Sequence, residues 1–174
     1  KYQRQSAWVW EHQALTRARF CAGDASIGAR FEALRVDLLR QARDHVELRK
    51  EVLAMRKRMH DAHPNRSGLF DLKHDAGGMI DIEFIVQYLV LAHACDHAAM
   101  TADIGNIALL KLAGQTGLID AGLAPQVADA YREFRRLQHQ IRLRGDDRAR
   151  VEPASVEAMR TAVIRLWEEI FLNG

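Results

Sequence analysis

The sequence predicts an all-α protein, a helical bundle of about seven helices with one long, motif-bearing loop. Apolar residues recur at helical spacing along almost the whole chain, and strand-like alternation does not extend over any length. The three prolines, Pro64, Pro125 and Pro153, all fit the starts or ends of helices. A chain of 174 residues can bury a sizeable core, so we predict a single helical domain over residues 1–174.

Each predicted helix has a start or stop signal. Gly23 ends the first helix, and Asp44 followed by Glu47 is a capping-box pattern that opens the third. Gly114 ends the fifth helix, and Ser155 is expected to cap the last. The predicted helices cover, in order, about Gln3–Phe20, Ala25–Ala42, Asp44–Ala62, Met79–Cys95, Ile104–Ala113, Ala124–Arg144 and Ser155–Leu172.

The predicted loop over residues 63–78 carries the most informative pattern in the chain. Four acidic residues and Lys73 fall within positions 71–83, and the pair Gly77–Gly78 leads into a helix that is apolar nearly all the way round. Glycine pairs occur where a chain bends sharply or lies close to another group, and a helix start offers N–H groups to an anion. We expect a short strand within 69–73 and a loop that is mobile on its own.

Lys73 is a candidate for neutralising a phosphate at this helix start. Asp75, Asp81 and Glu83 oppose that interpretation, because like charges repel, unless Mg²⁺ lies between them or cationic side chains dominate. Asp81 is favoured in a first helical turn whatever its function.

Glu83 and Gln87 lie one turn apart on the same apolar helix, so each needs a polar partner. An internal hydrogen-bond network and a ligand cleft both satisfy that requirement.

The first helix places an aromatic and a basic residue on each of two opposite faces. Trp8 and Arg19 share one face, and Trp10 and Arg17 share the other. A surface helix usually has a single apolar stripe. The pattern therefore indicates either a well-buried helix with snorkelling arginines or a helix that docks onto a further domain.

Charge is unevenly distributed, although the formal net charge is only +2. Residues 1–60 contain 13 basic and 7 acidic residues, whereas residues 61–130 contain 3 basic and 9 acidic residues. Helices that pair within one bundle account for this pattern, and so does a basic surface for phosphates or an acidic partner.

Several site classes are weakly supported. The pairs His60–His63 and His93–His97 lack a second ligand cluster, so we predict no metal site. Seven arginines between Arg132 and Arg150 spread around a helix and its end, which is typical of a solvated face and argues against nucleic-acid binding. The longest apolar run carries Asp81 and Glu83 and is too short to span a membrane. Two cysteines form no disulfide framework, which favours the cytoplasm.

Two blocks of sequence resemble bacterial glutamine synthetase adenylyltransferase (glutamate–ammonia ligase adenylyltransferase). They are the run AWVWEHQALTRAR, residues 7–19, and the run FDLK, residues 70–73, continued by GGMIDIEFIVQYL, residues 77–89. The resemblance is to the helical domain that follows a nucleotidyltransferase core, a type shared with PII uridylyltransferases. The sequences of the motifs are more similar to those of the C-terminal, adenylylating half of such enzymes.

The resemblance implies ATP-dependent AMP transfer to a tyrosine of glutamine synthetase, with Mg²⁺, and regulation of nitrogen assimilation. The metal-binding carboxylates of that superfamily follow a Gly-Ser and a later Asp-x-Asp, and neither pattern occurs here. We therefore expect the catalytic core to lie outside this chain, which begins with helix-forming residues almost from Lys1 and is expected to be inactive alone.

In that reading the chain supplies residues to two surfaces. The nucleotide-cleft candidates are Arg17, Arg19, Lys73, Gly77, Gly78, Asp81 and Glu83, and the core-docking candidates are Trp8, Trp10, Glu11 and Gln13. The expected partners are the missing core, glutamine synthetase and the PII signal protein. The alternative is a non-catalytic module that docks glutamine synthetase or PII.

Overall fold

Seven α-helices and a two-stranded sheet make up the part of the chain that the structure, a computed structural model, describes, residues 8–172. The elements are, in chain order, α1 (Val9–Leu15), α2 (Ala25–Leu39), α3 (His45–Ala62), β1 (Phe70–Asp71), α4 (Met79–His93), α5 (Asn106–Gln115), α6 (Leu123–Leu143), β2 (Arg150–Val151) and α7 (Glu157–Phe171). Short 3₁₀ turns occupy Ala98–Thr101 and Pro153–Ser155. The all-α prediction is confirmed, with one small sheet added.

Helix α4 lies at the centre of the bundle. Twelve of its 15 residues are buried, and it packs against α1, α3, α5, α6 and α7. Side chains such as Ile82, Ile85 and Leu89 are removed from water entirely or almost so, which is worth about 1.5–3 kcal/mol each. The apolar circumference read from the sequence is therefore the reason that other helices surround α4.

The two strands tie the loop before α4 to the segment after α6. They pair antiparallel, with Phe70 opposite Val151 and Asp71 opposite Arg150. The Leu72 N–H extends the pairing by donating to the Ala149 carbonyl at 3.0 Å. The strand expected within 69–73 is present, but it has only two residues.

Several predicted helix bounds are wrong, and the errors are local. The second helix, expected to reach Ala42, ends at Leu39. The first helix was expected to reach Phe20, but α1 ends at Leu15, where the Thr16 N–H and hydroxyl both turn back to the Gln13 carbonyl. Ser155 was expected to cap the last helix, but its hydroxyl donates to the Glu152 carbonyl inside a 3₁₀ turn, and α7 starts at Glu157. The predicted residues 3–7 lie outside the described residues.

The start of α4 is fixed by a turn and a buried ion pair. Gly77 adopts φ +84°, and its N–H donates to Asp81 Oδ2 at 2.6 Å. Asp81 Oδ1 accepts from Arg56 Nε of α3, and Arg56 Nη2 donates to the His74 carbonyl at 2.9 Å. Both side chains of the pair are buried. One ion pair thus joins α3, the preceding loop and α4.

Replacing Gly77 by alanine should destabilise the protein more than the same change at Gly68. Both glycines have positive φ, but an added Cβ at Gly77 would lie 2.6 Å from Arg160 Cγ, whereas nothing lies within 4 Å of one at Gly68. We expect Gly68→Ala to lower the free energy of unfolding by about 1 kcal/mol and Gly77→Ala by about 2–4 kcal/mol, measured by urea denaturation. Equal losses would show that contact with α7 at this turn carries no energy.

Asp81→Asn should lower the free energy of unfolding by about 3–5 kcal/mol, because it leaves the Arg56 charge buried without a counter-charge. The double variant Arg56→Met/Asp81→Asn should recover part of that loss. The control is Asp61→Asn, which breaks an exposed pair with Lys57 on α3 and should leave the free energy of unfolding close to that of the wild type. Full stability in Asp81→Asn would contradict a structural role for this carboxylate.

Candidate functional site

The motif loop, residues 63–78, is organised by its own carboxylates. Asp71 Oδ1 accepts the N–H groups of Lys73 and His74 at 2.9 and 3.0 Å. Asp75 Oδ2 accepts the Asp71 N–H at 2.8 Å and the Asn65 Nδ2 donor at 2.7 Å. These bonds, with the strand pairing, argue against the expected mobile loop. Two of the four acidic residues noted in the sequence therefore shape the backbone around Lys73.

The N–H groups at the start of α4 are used within the protein. Gly77 donates to Asp81, and Gly78 donates to the Asp75 carbonyl at 2.9 Å. The next two N–H groups, of Met79 and Ile80, donate to the carbonyls of Leu72 and Lys73 at 2.9 and 3.2 Å. These four N–H groups are not directed at a ligand, so the structure gives Gly77, Gly78 and Asp81 a place in the turn itself.

Lys73 differs from these residues because its side chain is exposed. It lines a cavity of about 290 Å³ between the motif loop and the end of α6, which we call the loop cavity. Arg142, Arg148 and Arg150 line the same cavity. The motif loop therefore places Lys73 in the wall of the same cavity as three arginines.

Two histidines close one side of the loop cavity. The His63 and His74 rings are stacked, with centroids 4.2 Å apart and planes 6° from parallel. Burial lowers the pKa of His74 below its usual value, and the neighbouring Asp71 carboxylate only partly opposes this shift. His74 is accordingly neutral at pH 7.

Glu83 takes part in an internal network rather than standing alone on α4. Its Oε1 accepts the Tyr131 hydroxyl of α6 at 2.8 Å and lies 3.3 Å from Arg17 Nη1. Burial, with the Glu83 charge, raises the pKa of Tyr131 above its usual value, so this hydroxyl stays a donor. The network alternative considered for Glu83 is the one that forms, although 27% of the Glu83 side chain and 49% of the Arg17 side chain remain exposed.

The four core-docking candidates separate into two groups. Gln13 is buried and donates from Nε2 to Gln87 Oε1 at 3.0 Å, so it holds α1 to α4 and is not a contact surface. Trp8 and Trp10 are 67% and 50% exposed. Glu11 accepts the Trp8 N–H at 2.8 Å and so fixes the start of α1. The helix has one buried face and leaves both tryptophans outward.

Arg17 and Arg19 line a second cavity, of about 410 Å³, beside the start of α5. Thr16, Val86, Asp103 and Asn106 contribute to its walls, and Lys73 does not. The structure therefore brings Arg17 together with Glu83, and Gly77 together with Asp81, but it assigns Lys73 and the two arginines to different cavities.

Sequence reasoning missed two sets of residues. Arg56 follows Leu48 and Val52 at four-residue spacing, on the buried stripe of α3, and a cation on an apolar stripe is a signal that a buried carboxylate faces it. One seam of α6 carries residues spaced three or four apart: Tyr131, Arg135, Gln138 and Arg142. The seam is not visible when only the arginines of this helix are considered. Arg150 joins the site only through strand pairing, which no spacing rule predicts.

Within residues 8–172, no group of three or more His, Cys, Asp or Glu side chains is arranged to hold a metal ion. Over the same residues, none of the helices has the length and apolar character needed to cross a bilayer.

Comparisons with known proteins identify the family. The family model described as GlnD PII-uridylyltransferase matches residues 43–162, and the model described as glutamate-ammonia ligase adenylyltransferase matches residues 1–34. Proteins named bifunctional glutamine synthetase adenylyltransferase/adenylyl-removing enzyme are similar over nearly the whole chain. Those of Bordetella bronchiseptica and Aromatoleum aromaticum are 56% identical over 174 residues and 58% identical over 171 residues. One of Ralstonia nicotianae is 60% identical over 167 residues, 95% of this chain.

The chain spans only part of these relatives, 18% of the length of the first two and 17% of the third. The first family model covers well over half of the chain, and the relatives share one name. The resemblance read from the two sequence blocks is therefore confirmed: the chain belongs to the family described as GlnD PII-uridylyltransferase, and the full-length relatives to which it is similar are named glutamine synthetase adenylyltransferases.

Proposed function

We propose that this chain is the helical domain that follows the nucleotidyltransferase core in the C-terminal, adenylylating half of a glutamine synthetase adenylyltransferase. In this role it supports ATP-dependent transfer of AMP to a tyrosine of glutamine synthetase, in the cytoplasm, and so takes part in regulating nitrogen assimilation. The names of the relatives support the enzyme class. The chain alone is expected to be inactive.

The composition of the chain supports a division of labour with a core outside it. Neither a Gly-Ser dipeptide nor an Asp-x-Asp pattern occurs in the sequence, and the described residues offer no carboxylate cluster for Mg²⁺. ATP, and the Mg²⁺ that neutralises its phosphates, would be held mainly by the core. Nucleotidyl transfer depends largely on positioning and on stabilisation of charge, and both are tasks that cationic side chains of a helical domain can share.

The observation that carries the proposal is the position of Lys73. The loop that bears it is fixed by Asp71 and Asp75 and is joined to the core of the bundle by Arg56 and Asp81. Lys73 is nevertheless exposed. A rigid backbone that presents one lysine outward is the arrangement needed to place a positive charge at a nucleotide phosphate. Arg17 and Arg19 form a second cationic position beside α5, while Asp81 and Glu83 hold the structure.

The exposed tryptophans of α1 indicate where a partner packs. Trp8 and Trp10 expose large apolar surfaces that the described residues do not cover. In the proposed enzyme they contact the nucleotidyltransferase core. The alternative function, a non-catalytic module that docks glutamine synthetase or PII, uses the same two side chains. Capture of either protein by this chain without ATP, and its loss in Trp8→Ala/Trp10→Ala, would favour the alternative.

Lys73→Ala should lower AMP transfer from labelled ATP to glutamine synthetase by about 10- to 100-fold in a protein extended N-terminally through the core. The matched control is Lys111→Ala, which removes an exposed lysine from α5 and should leave the rate unchanged. Both variants should unfold at the same urea concentration as the wild type.

Indifference of the extended enzyme to Lys73→Ala would leave the bundle as a scaffold or docking surface. Absence of transfer in the wild-type extended protein would contradict the assignment to the adenylylating half.

Glu83→Gln should have a mild effect, because glutamine still accepts the Tyr131 hydroxyl and only a partly exposed pair with Arg17 is lost. We expect a loss of less than about 1 kcal/mol in the free energy of unfolding and transfer within about threefold of the wild type. The comparison variant is Tyr131→Phe, which removes the same hydrogen bond from the other side. A large drop in transfer with Glu83→Gln alone would place Glu83 in contact with the nucleotide.

A further inference from the structure

The loop cavity carries more positive charge than Lys73 alone supplies. Its cationic side chains come from three separate segments: Lys73 from the motif loop, Arg142 from the end of α6, and Arg148 and Arg150 from the segment that follows. Asp71 and Asp147 also line it. The four cations therefore outnumber the carboxylates by two.

The cations of this cavity have few internal counter-charges. Lys73, Arg142 and Arg148 form no ion pair with any carboxylate of residues 8–172, and Arg150 Nε lies 3.8 Å from Asp71 Oδ2. Asp71 is already engaged by two backbone N–H groups and by His74 Nδ1 at 3.3 Å. Arg150 Nε is buried and has no hydrogen-bond acceptor within the described residues.

Two arginines of α6 that do not line the cavity have carboxylate partners. Arg132 and Arg136 precede Arg142 on α6. Arg132 forms an ion pair with Asp129, and Arg136 forms one with Glu133, in each case three residues earlier. Arg142, which lines the cavity, has no such carboxylate partner among residues 8–172.

Water can bind the exposed donors of Lys73, Arg142 and Arg148, but Arg150 Nε is buried without an acceptor. A buried donor of this kind, next to three further cations, indicates that an anion from outside the chain binds here.

The chemistry of the lining selects phosphate. Guanidinium groups match a phosphate bidentately, and a lysine adds a compact point charge. Gln138 adds a neutral amide to the wall. The volume of about 290 Å³ is at the lower limit of ordinary ligand sites, which start at about 300 Å³, so the cavity suits a phosphate group or a short phosphate chain rather than a whole nucleotide. Its concave shape also distinguishes it from the extended basic stripe that nucleic acids need.

We propose that the loop cavity is a phosphate site, in which Arg142, Arg148 and Arg150 act with Lys73 to hold the phosphate groups of a nucleotide or of an inorganic polyphosphate. This inference extends the role proposed for Lys73. It depends on that role only where it names a nucleotide as the molecule that carries the phosphate groups.

The test is calorimetric titration of this chain with tripolyphosphate, ATP and adenosine. If the site recognises phosphate alone, tripolyphosphate and ATP bind with affinities within about threefold of each other, and adenosine does not bind. ATP binding without tripolyphosphate binding would overturn the proposal, and so would the absence of binding by either. A clear preference for ATP over tripolyphosphate would identify the nucleotide as the source, and similar affinities would identify phosphate itself.

A pair of matched double variants separates a built site from general attraction. Arg142→Gln/Arg148→Gln should weaken tripolyphosphate binding by about 10-fold or more, whereas Arg132→Gln/Arg136→Gln removes the same charge from the same region and should change it by less than about twofold. Equal weakening by both pairs would overturn the proposal in favour of a diffuse electrostatic effect.

The outcome is distinguishable from that of the AMP-transfer experiment. If Lys73→Ala cripples transfer but the chain does not bind tripolyphosphate, the proposed function stands and the phosphate site is excluded. If the chain binds tripolyphosphate through Arg142 and Arg148 but transfer ignores Lys73, the phosphate site stands and the nucleotide-cleft role fails. Circular dichroism of each variant checks that the helices are retained.

Discussion

The buried ion pair between Arg56 and Asp81 determines how the rest of the molecule is arranged around its central helix. Asp81 also accepts the Gly77 N–H, and Arg56 also donates to the His74 carbonyl, so the pair fixes both ends of the turn that leads into α4. Removing a charge pair from water is costly, and further hydrogen bonds offset part of that cost. Both Asp81 oxygens and two of the Arg56 nitrogens are bonded, two of these bonds going to the motif loop, whereas Arg56 Nη1 is buried without an acceptor among the described residues. The position of Lys73 therefore depends on an interaction that lies beneath the surface.

The two cationic positions of the protein lie on one connected surface. Tyr131 binds Glu83, which contacts Arg17. Gln138 and Arg142, about two and three turns farther along the same seam of α6, line the loop cavity. Helix α6 thus connects the α1 region with the motif loop. The helix packs against both α5 and α7.

Most helices could be predicted from the sequence because their signals are local. Asp44 caps α3 as expected, accepting the Val46 and Glu47 N–H groups, and the apolar run after Gly78 is the buried helix. The candidate site was less predictable, because its contacts join distant segments. The glutamate at position 83 could be identified as needing a partner, but its partner Tyr131 lies 48 positions away. Likewise Arg150 reaches Asp71 only because two residues of each segment pair as strands. Spacing rules identify which residues share a face of one element, and they do not tell which elements meet.

The lack of space for a side chain at Gly78 restricts how this sequence can change during evolution. Three carbonyl oxygens surround the place where its side chain would be: those of Asp75 and Leu72, at 2.9 Å from an ideal Cβ, and that of Lys73 at 3.3 Å. Backbone oxygens cannot move aside as the end of a flexible side chain can, so every other amino acid is excluded unless the loop itself is rebuilt. No atom lies within 4 Å of an added Cβ at Gly105, Gly117 or Gly145, so only their positive φ angles restrict substitution at these positions. We therefore expect substitutions in related sequences to avoid Gly78, so that the glycine is retained while the residues around the turn change.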